Sequence, residues 1–160
     1  ISAVTTLVHQ GAIDVLGPVT NPSTVHQAKF SMGTTLGLIA SYGKAGMVEF
    51  EDGFAKPEVV AFRNRVEMVL DDEVNTAYPA RWIGKVRVQT TDGRTIESRV
   101  DEPKGDPGNT LSRAEIETKV KGLARFSNGA NTAEMEHLLP RLWSLTAANH
   151  VGWLLTGKEG

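Results

Sequence analysis

The sequence predicts an α+β fold: a two-layer domain in which about four strands form a mainly antiparallel sheet packed with helices. Three observations predict it. Segments rich in β-branched or alternating apolar residues stand at 1–9, 66–70 and 85–101. Apolar residues at helical spacing follow helix-start signals near Thr24 and Ser112. The resulting order is strand, helix, helix, strand, hairpin, helix, helix, and strands grouped apart from helices suit an antiparallel sheet better than a wound parallel one. The whole chain, 1–160, reads as a single α+β domain with no internal repeat.

Each element has a local cause. Val4, Thr5, Thr6 and Val8 favour a strand over Ile1 to His9. Gly11 to Pro22 reads as a connection, because Gly, Pro and Asn are frequent there. Thr24 followed by Gln27 is a capping-box pattern that starts a helix running to Tyr42 and ending at Gly43. Its expected apolar side carries Ala28, Met32, Leu36 and Ile39. Gly33 and Gly37 lie inside that helix, each costing about 1 kcal/mol relative to Ala. Close backbone packing or a ligand needing room would compensate, and packing is the favoured reading.

Pro57 suits the first position of a helix over Pro57 to Asn64. Val66, Met68 and Leu70 form the next strand, closed by Asp71-Asp72, and Asn75 to Trp82 reads as ordered loop. Lys85 to Asp101 is a hairpin. A two-residue Asp92-Gly93 turn would set Val88 opposite Glu97, whereas a three-residue loop, Thr91-Asp92-Gly93, pairs Val88 with Ile96 and Val86 with Ser98. Only the second separates apolar from charged faces, and it gives Gly93 the left-handed position. Two prolines and two glycines exclude regular structure from Pro103 to Thr110. Ser112 and Glu115 cap a helix expected to bury Ile116, Val120 and Leu123, stopped at Ser127-Asn128-Gly129. A further helix from Thr132 carries Met135, Leu138, Leu139 and Leu142, with a break or kink expected at Pro140, and a last short one includes Val151, Leu154 and Leu155.

Composition narrows the chemistry. The net charge is −2 with both signs interspersed, which argues against nucleic-acid or anionic-membrane partners. No run reaches 18 apolar residues and no secretory leader is visible, so a cytoplasmic protein is expected. With no cysteine, disulfides, Cys-ligated metals and thiol nucleophiles are excluded. His9, His26, His137 and His150 lack metal-pair spacing, so no metal site is expected; His26 reads as a surface histidine. Ser31 is not in a nucleophile elbow, and Lys104 to Gly108 does not follow the phosphate-loop order. Glu49, Glu51 and Asp52 read as a solvated turn. Arg81, Lys85, Lys104 and Arg113 would make an anion site only if folding brought them together.

Two stretches carry more information: Gln27-Ala28-Lys29-Phe30-Ser31-Met32 and Pro103-Lys104-Gly105-Asp106-Pro107-Gly108-Asn109-Thr110-Leu111-Ser112. Between them stand Pro57-Glu58-Val59, Tyr78-Pro79-Ala80-Arg81-Trp82 and Asp92-Gly93-Arg94. In this order and spacing, from about Ile1 to Leu145, they resemble the C-terminal domain of the MmgE/PrpD family, the 2-methylcitrate dehydratase-like enzymes. The resemblance implies the smaller lid domain of a lyase or isomerase acting on small di- or tricarboxylates by dehydration, decarboxylation or epimerisation. It implies no metal or organic cofactor, a homodimer, and catalytic Asp, His and Lys residues in a helical domain that this chain does not contain. An isolated lid would be inactive. Lys29, Ser31 and Thr34, near a helix N-terminus, are the implied substrate-binding residues. Many family members carry Tyr where Thr34 stands, so an acidic hydroxyl is replaced by an alcohol that only hydrogen-bonds. That implies a different substrate or a relocated role. The rival expectation is a non-catalytic binding or oligomerisation domain, which a closed Gly33/Gly37 face would favour.

Overall fold

Four strands, β1 (Ala3–Val8), β2 (Val66–Leu70), β3 (Gly84–Gln89) and β4 (Thr95–Val100), form one open sheet in the order β2-β1-β3-β4. In this computed structural model, which describes residues 1–152, β1 runs parallel to β2, and the other two pairs are antiparallel. The expected α+β class and mainly antiparallel sheet are what the chain adopts. Strand alternation sorts the residues by face. Val4 and Thr6 are buried and align with Val66, Met68, Val86 and Val88, while Thr5, Glu67, Arg87 and Glu97 share the opposite face.

The hairpin takes the three-residue loop. Val88 pairs with Ile96 and Val86 with Ser98, the Thr90 N–H donates to the Arg94 carbonyl at 2.9 Å, and Gly93 has φ +86°. Left-handed backbone there costs a residue with a Cβ about 1–2 kcal/mol, which explains the glycine.

Two compact units divide the chain, Ile1–Thr110 and the residues from Leu111 onward. In the first, six helices accompany the sheet: α1 (Gln10–Leu16), α2 (Val25–Lys29), α3 (Met32–Tyr42), α4 (Met47–Gly53), α5 (Pro57–Arg63) and α6 (Asp72–Ala77). Three of them correct the sequence expectation. The segment read as a connection contains α1, because His9 caps it through Nδ1, accepting from the Ala12 N–H at 3.1 Å, and Gln10 bonds Asp14 one turn on. The acidic cluster is no turn: Glu49, Glu51 and Asp52 lie on α4, where the Glu49 carboxylate accepts from the Gly46 N–H. Asn75 falls in α6 rather than in loop, since Asp71 caps that helix by accepting from the Val74 N–H at 2.9 Å. The expected single helix from Thr24 to Tyr42 is two, α2 and α3, interrupted at Phe30 and Ser31. Pro57 opens α5 as expected.

The core of this unit joins Ala28, Leu38, Phe50 and Val59, with Val25, Ala45 and Phe54 against them. The buried side of α3 therefore differs from the expected one. Thr34, Gly37 and Leu38 are buried, whereas Ile39 is 44% exposed. The small residues decide this: α3 turns its glycines, not its largest apolar residues, toward α5.

On the sheet's other face, Lys85 bridges Asp71 at 3.0 Å and Glu73 at 2.7 Å, and Arg99 holds Glu73 at 2.8 Å. Hydrogen bonds from Arg99 and then Lys85 lower the Glu73 pKa from 4.5 to about 2. Because the folded value is depressed, the contribution is complete above the ordinary value of 4.5 and is lost as pH falls toward 2. Glu73→Gln is expected to flatten the fall of stability between those limits, with the difference shrinking in salt because Glu73 is half exposed. Urea midpoints measured across that pH range check it; parallel profiles for both proteins would contradict it.

In the second unit, α7 (Arg113–Ser127) begins with the expected capping box between Ser112 and Glu115 and ends at Asn128, φ +53°. Its burial is shallower than expected: Ile116 and Val120 are half-buried and Leu123 is 45% exposed. The next helix, α8 (Thr132–Trp143), buries Met135 and Leu139 and continues past Pro140, so no break occurs there. The Trp143 indole N–H donates to Glu117 at 2.8 Å, and its ring lies beneath the Arg113 guanidinium, which fastens the end of α8 to the start of α7. The short helix expected around Val151, Leu154 and Leu155 extends outside the described residues.

Candidate functional site

The junction between α2 and α3 sets the geometry. Thr24 caps α2 by accepting from the Gln27 N–H, but the Gln27 side chain returns to the Ser23 N–H, one residue earlier than the expected box. After Phe30 the backbone opens out, and Ser31 (φ −106°, ψ 110°) caps α3. Its Oγ accepts from the Thr34 N–H at 3.3 Å and from the Thr34 hydroxyl at 3.0 Å. Ser31 is buried and Thr34 is fully buried, so the Thr34 hydroxyl fixes the serine. The first-turn amides of Met32 and Gly33 have no acceptor within the helix.

Lys29, on the last turn of α2, is exposed. His26, also exposed, has its ring 5.3 Å from that of Phe30. The structure thus brings Ser31 and Thr34 into contact and leaves Lys29 in solvent.

Ser31, Met32 and Gly33 line a cavity of about 430 Å³ together with Thr20, Arg63 and Asn64. Arg63 was not singled out by the sequence. A signal was available, since Arg63 lies four residues after Val59 and so shares the buried face of α5. Arg63 is only 7% exposed; its guanidinium donates from Nη2 to the Asn21 amide oxygen at 2.8 Å and leaves a buried Nε without a partner among the described residues. Its stem crosses α3 at Gly33, where a Cβ would stand 2.8 Å from Arg63 Cγ. At Gly37 a Cβ would stand 2.8 Å from the Val59 carbonyl oxygen. Both glycines are thus explained by packing, as favoured from the sequence.

Of the cationic set Arg81, Lys85, Lys104 and Arg113, two have their partners in view. Lys85 is committed to Asp71 and Glu73, and Arg113 belongs to the second unit, on Glu117. A second cavity, about 440 Å³ and mostly apolar, lies along β1, β3 and β4, lined by Leu16, Met32, Leu36, Trp82, Val86 and Val100. No helix among the described residues is long and apolar enough to cross a membrane.

Residues 1–145 match the family model of the MmgE/PrpD C-terminal domain. No curated protein matches the sequence.

Proposed function

The chain belongs to the MmgE/PrpD family as its C-terminal domain, and from that we propose that it closes over, and helps to form, the substrate cleft of a lyase or isomerase acting on small di- or tricarboxylates. The observation that carries this reading is the start of α3, where Ser31, Met32 and Gly33 line a cavity at the helix end that carries partial positive charge, which suits a carboxylate. In this reading the Lys29 amine and the Ser31 hydroxyl bind substrate, and Thr34 acts by holding Ser31. The partner domain supplies the base that moves a proton beside a carboxylate, while the lid holds developing negative charge and excludes water. The partners are the helical domain of the same protein, closing along the apolar cavity, and a second copy.

A second reading, a non-catalytic binding or oligomerisation domain, is favoured by the closed Gly33/Gly37 face. One experiment separates them. The protein carrying both domains is incubated with 2-methylcitrate, citrate, cis-aconitate and iminodisuccinate in D₂O and followed by NMR. Consumption of one, or deuterium exchange into it, is expected, and Lys29→Ala is expected to raise KM about tenfold by removing a charge-assisted bond. No turnover and no exchange with any of the four would favour the second reading.

A further inference from the structure

The outer edge of β4 is open. β4 ends the sheet order, and all six of its residues, Thr95–Val100, are exposed. Natural edge strands are commonly blunted by lysine, proline or a bulge; β4 has neither residue, and its ladder to β3 runs without a bulge. The hairpin register shows which residues offer their backbone. Because the Thr90 N–H donates to the Arg94 carbonyl, antiparallel alternation turns the N–H and C=O groups of Ile96, Ser98 and Val100 toward β3. Those of Thr95, Glu97 and Arg99 point out of the sheet, where no strand meets them. The side chains alternate as well. Ile96, 52% exposed, and Val100, 47% exposed, share the face of Val86 and Val88, while Glu97 and Arg99 stand on the polar face. Arg87 holds Glu97 at 2.6 Å and Glu73 holds Arg99 at 2.8 Å, so both charges are fixed in place.

We infer that β4 pairs antiparallel with β4 of a second copy, across a two-fold axis through Ser98, so that two four-stranded sheets become one. The strand's own sequence selects both occupant and register. With outward backbone groups only at Thr95, Glu97 and Arg99, odd residues must oppose odd ones. Centring the pair on Ser98 sets Glu97 opposite Arg99 of the second copy and Ile96 opposite its Val100, each contact made twice by symmetry. Centring it on Glu97 or on Arg99 instead places like charges opposite each other on the axis, which is destabilising. Charge complementarity therefore favours a second copy, in one register. The pairing is independent of the enzymatic reading, since β4 contributes nothing to the cavity at the start of α3.

The full chain has no cysteine, so Ser98→Cys introduces a single thiol, placed on the axis. Opposed residues of a non-hydrogen-bonded pair lie about 4.5 Å apart at Cα, inside the roughly 4.4–6.8 Å that a disulfide spans. Mild oxidation of Ser98→Cys is expected to give a covalent dimer. The two copies of Ile96 would stand about 13 Å apart along the strands, so Ile96→Cys is expected to give none. Sedimentation of the wild-type chain is expected to show a concentration-dependent dimer. Glu97→Arg and Arg99→Glu, each alone, set like charges opposite each other twice and are expected to weaken it at least about tenfold. Mixing the two variants is expected to restore it, because every cross-pair then joins opposite charges. The cysteine comparison decides the matter even if the charge variants fold poorly. A wild-type chain that stays monomeric, equal crosslinking of both cysteine variants, or a dimer indifferent to Glu97→Arg overturns the pairing.

Discussion

Leu38→Ala is expected to destabilise the Ile1–Thr110 unit by about 3 kcal/mol. Leu38 is fully buried and packs with Ala28, Phe50 and Val59, and its Cδ2 lies 2.9 Å from where a Cβ on Gly53 would stand. Truncation removes three carbons from that cluster. The neighbours are backbone-anchored small residues and one phenylalanine, so the space collapses only in part and a cavity term adds to the lost transfer energy. The adjacent Ile39→Ala, on an exposed position, is expected to cost under about 1 kcal/mol. Urea midpoints with an unchanged slope check both. Equal losses would mean that α3 faces the core differently.

Gly37→Ala carries the second large effect, about 2 kcal/mol of destabilisation, and its sign is informative. Alanine is the better helix former by about 1 kcal/mol, so an unpacked glycine would gain from the change. At Gly37 the new methyl meets the Val59 carbonyl oxygen at 2.8 Å and Val59 Cγ1 at 3.1 Å. A main-chain oxygen cannot swing aside, so α3 and α5 must separate. Gly122→Ala, in α7 with open space around it, is expected to stabilise by about 0.5–1 kcal/mol. Opposite signs at the two glycines confirm the close approach, and a gain at both would refute it.

These two positions also show where the sequence was legible. Elements written in strong local chemistry were read correctly: the hairpin register, because a one-residue slip would mix charged and apolar faces; α5, because proline opens it; α7, because Ser112 and Glu115 cap each other. The helices missed or misread have quieter starts. A histidine caps α1, and Gly46, with no side chain to offer, precedes α4. The α3 face was misassigned because hydrophobic spacing assumes that the largest apolar residues face inward, while small residues there admit a neighbouring backbone. In the candidate site, Ser31 and Thr34 were named from resemblance, and their contact is a cap three residues long. Arg63 escaped because an arginine on a seven-residue helix reads as solvated unless the helix face is already known.

The sheet order has a consequence for how the chain reaches this fold. The central strand β1 comes first in sequence, yet both its neighbours come much later: Thr5 pairs with Glu67, 62 residues on, and with Arg87 further still. The β3–β4 hairpin closes locally, on a scale of about 1–10 μs, whereas β1 must wait for distant partners. During synthesis, Ala3–Val8 therefore leaves the ribosome uncharged, rich in β-branched residues and unpaired, a segment suited to chaperone capture or to pairing with another nascent copy before β2 exists.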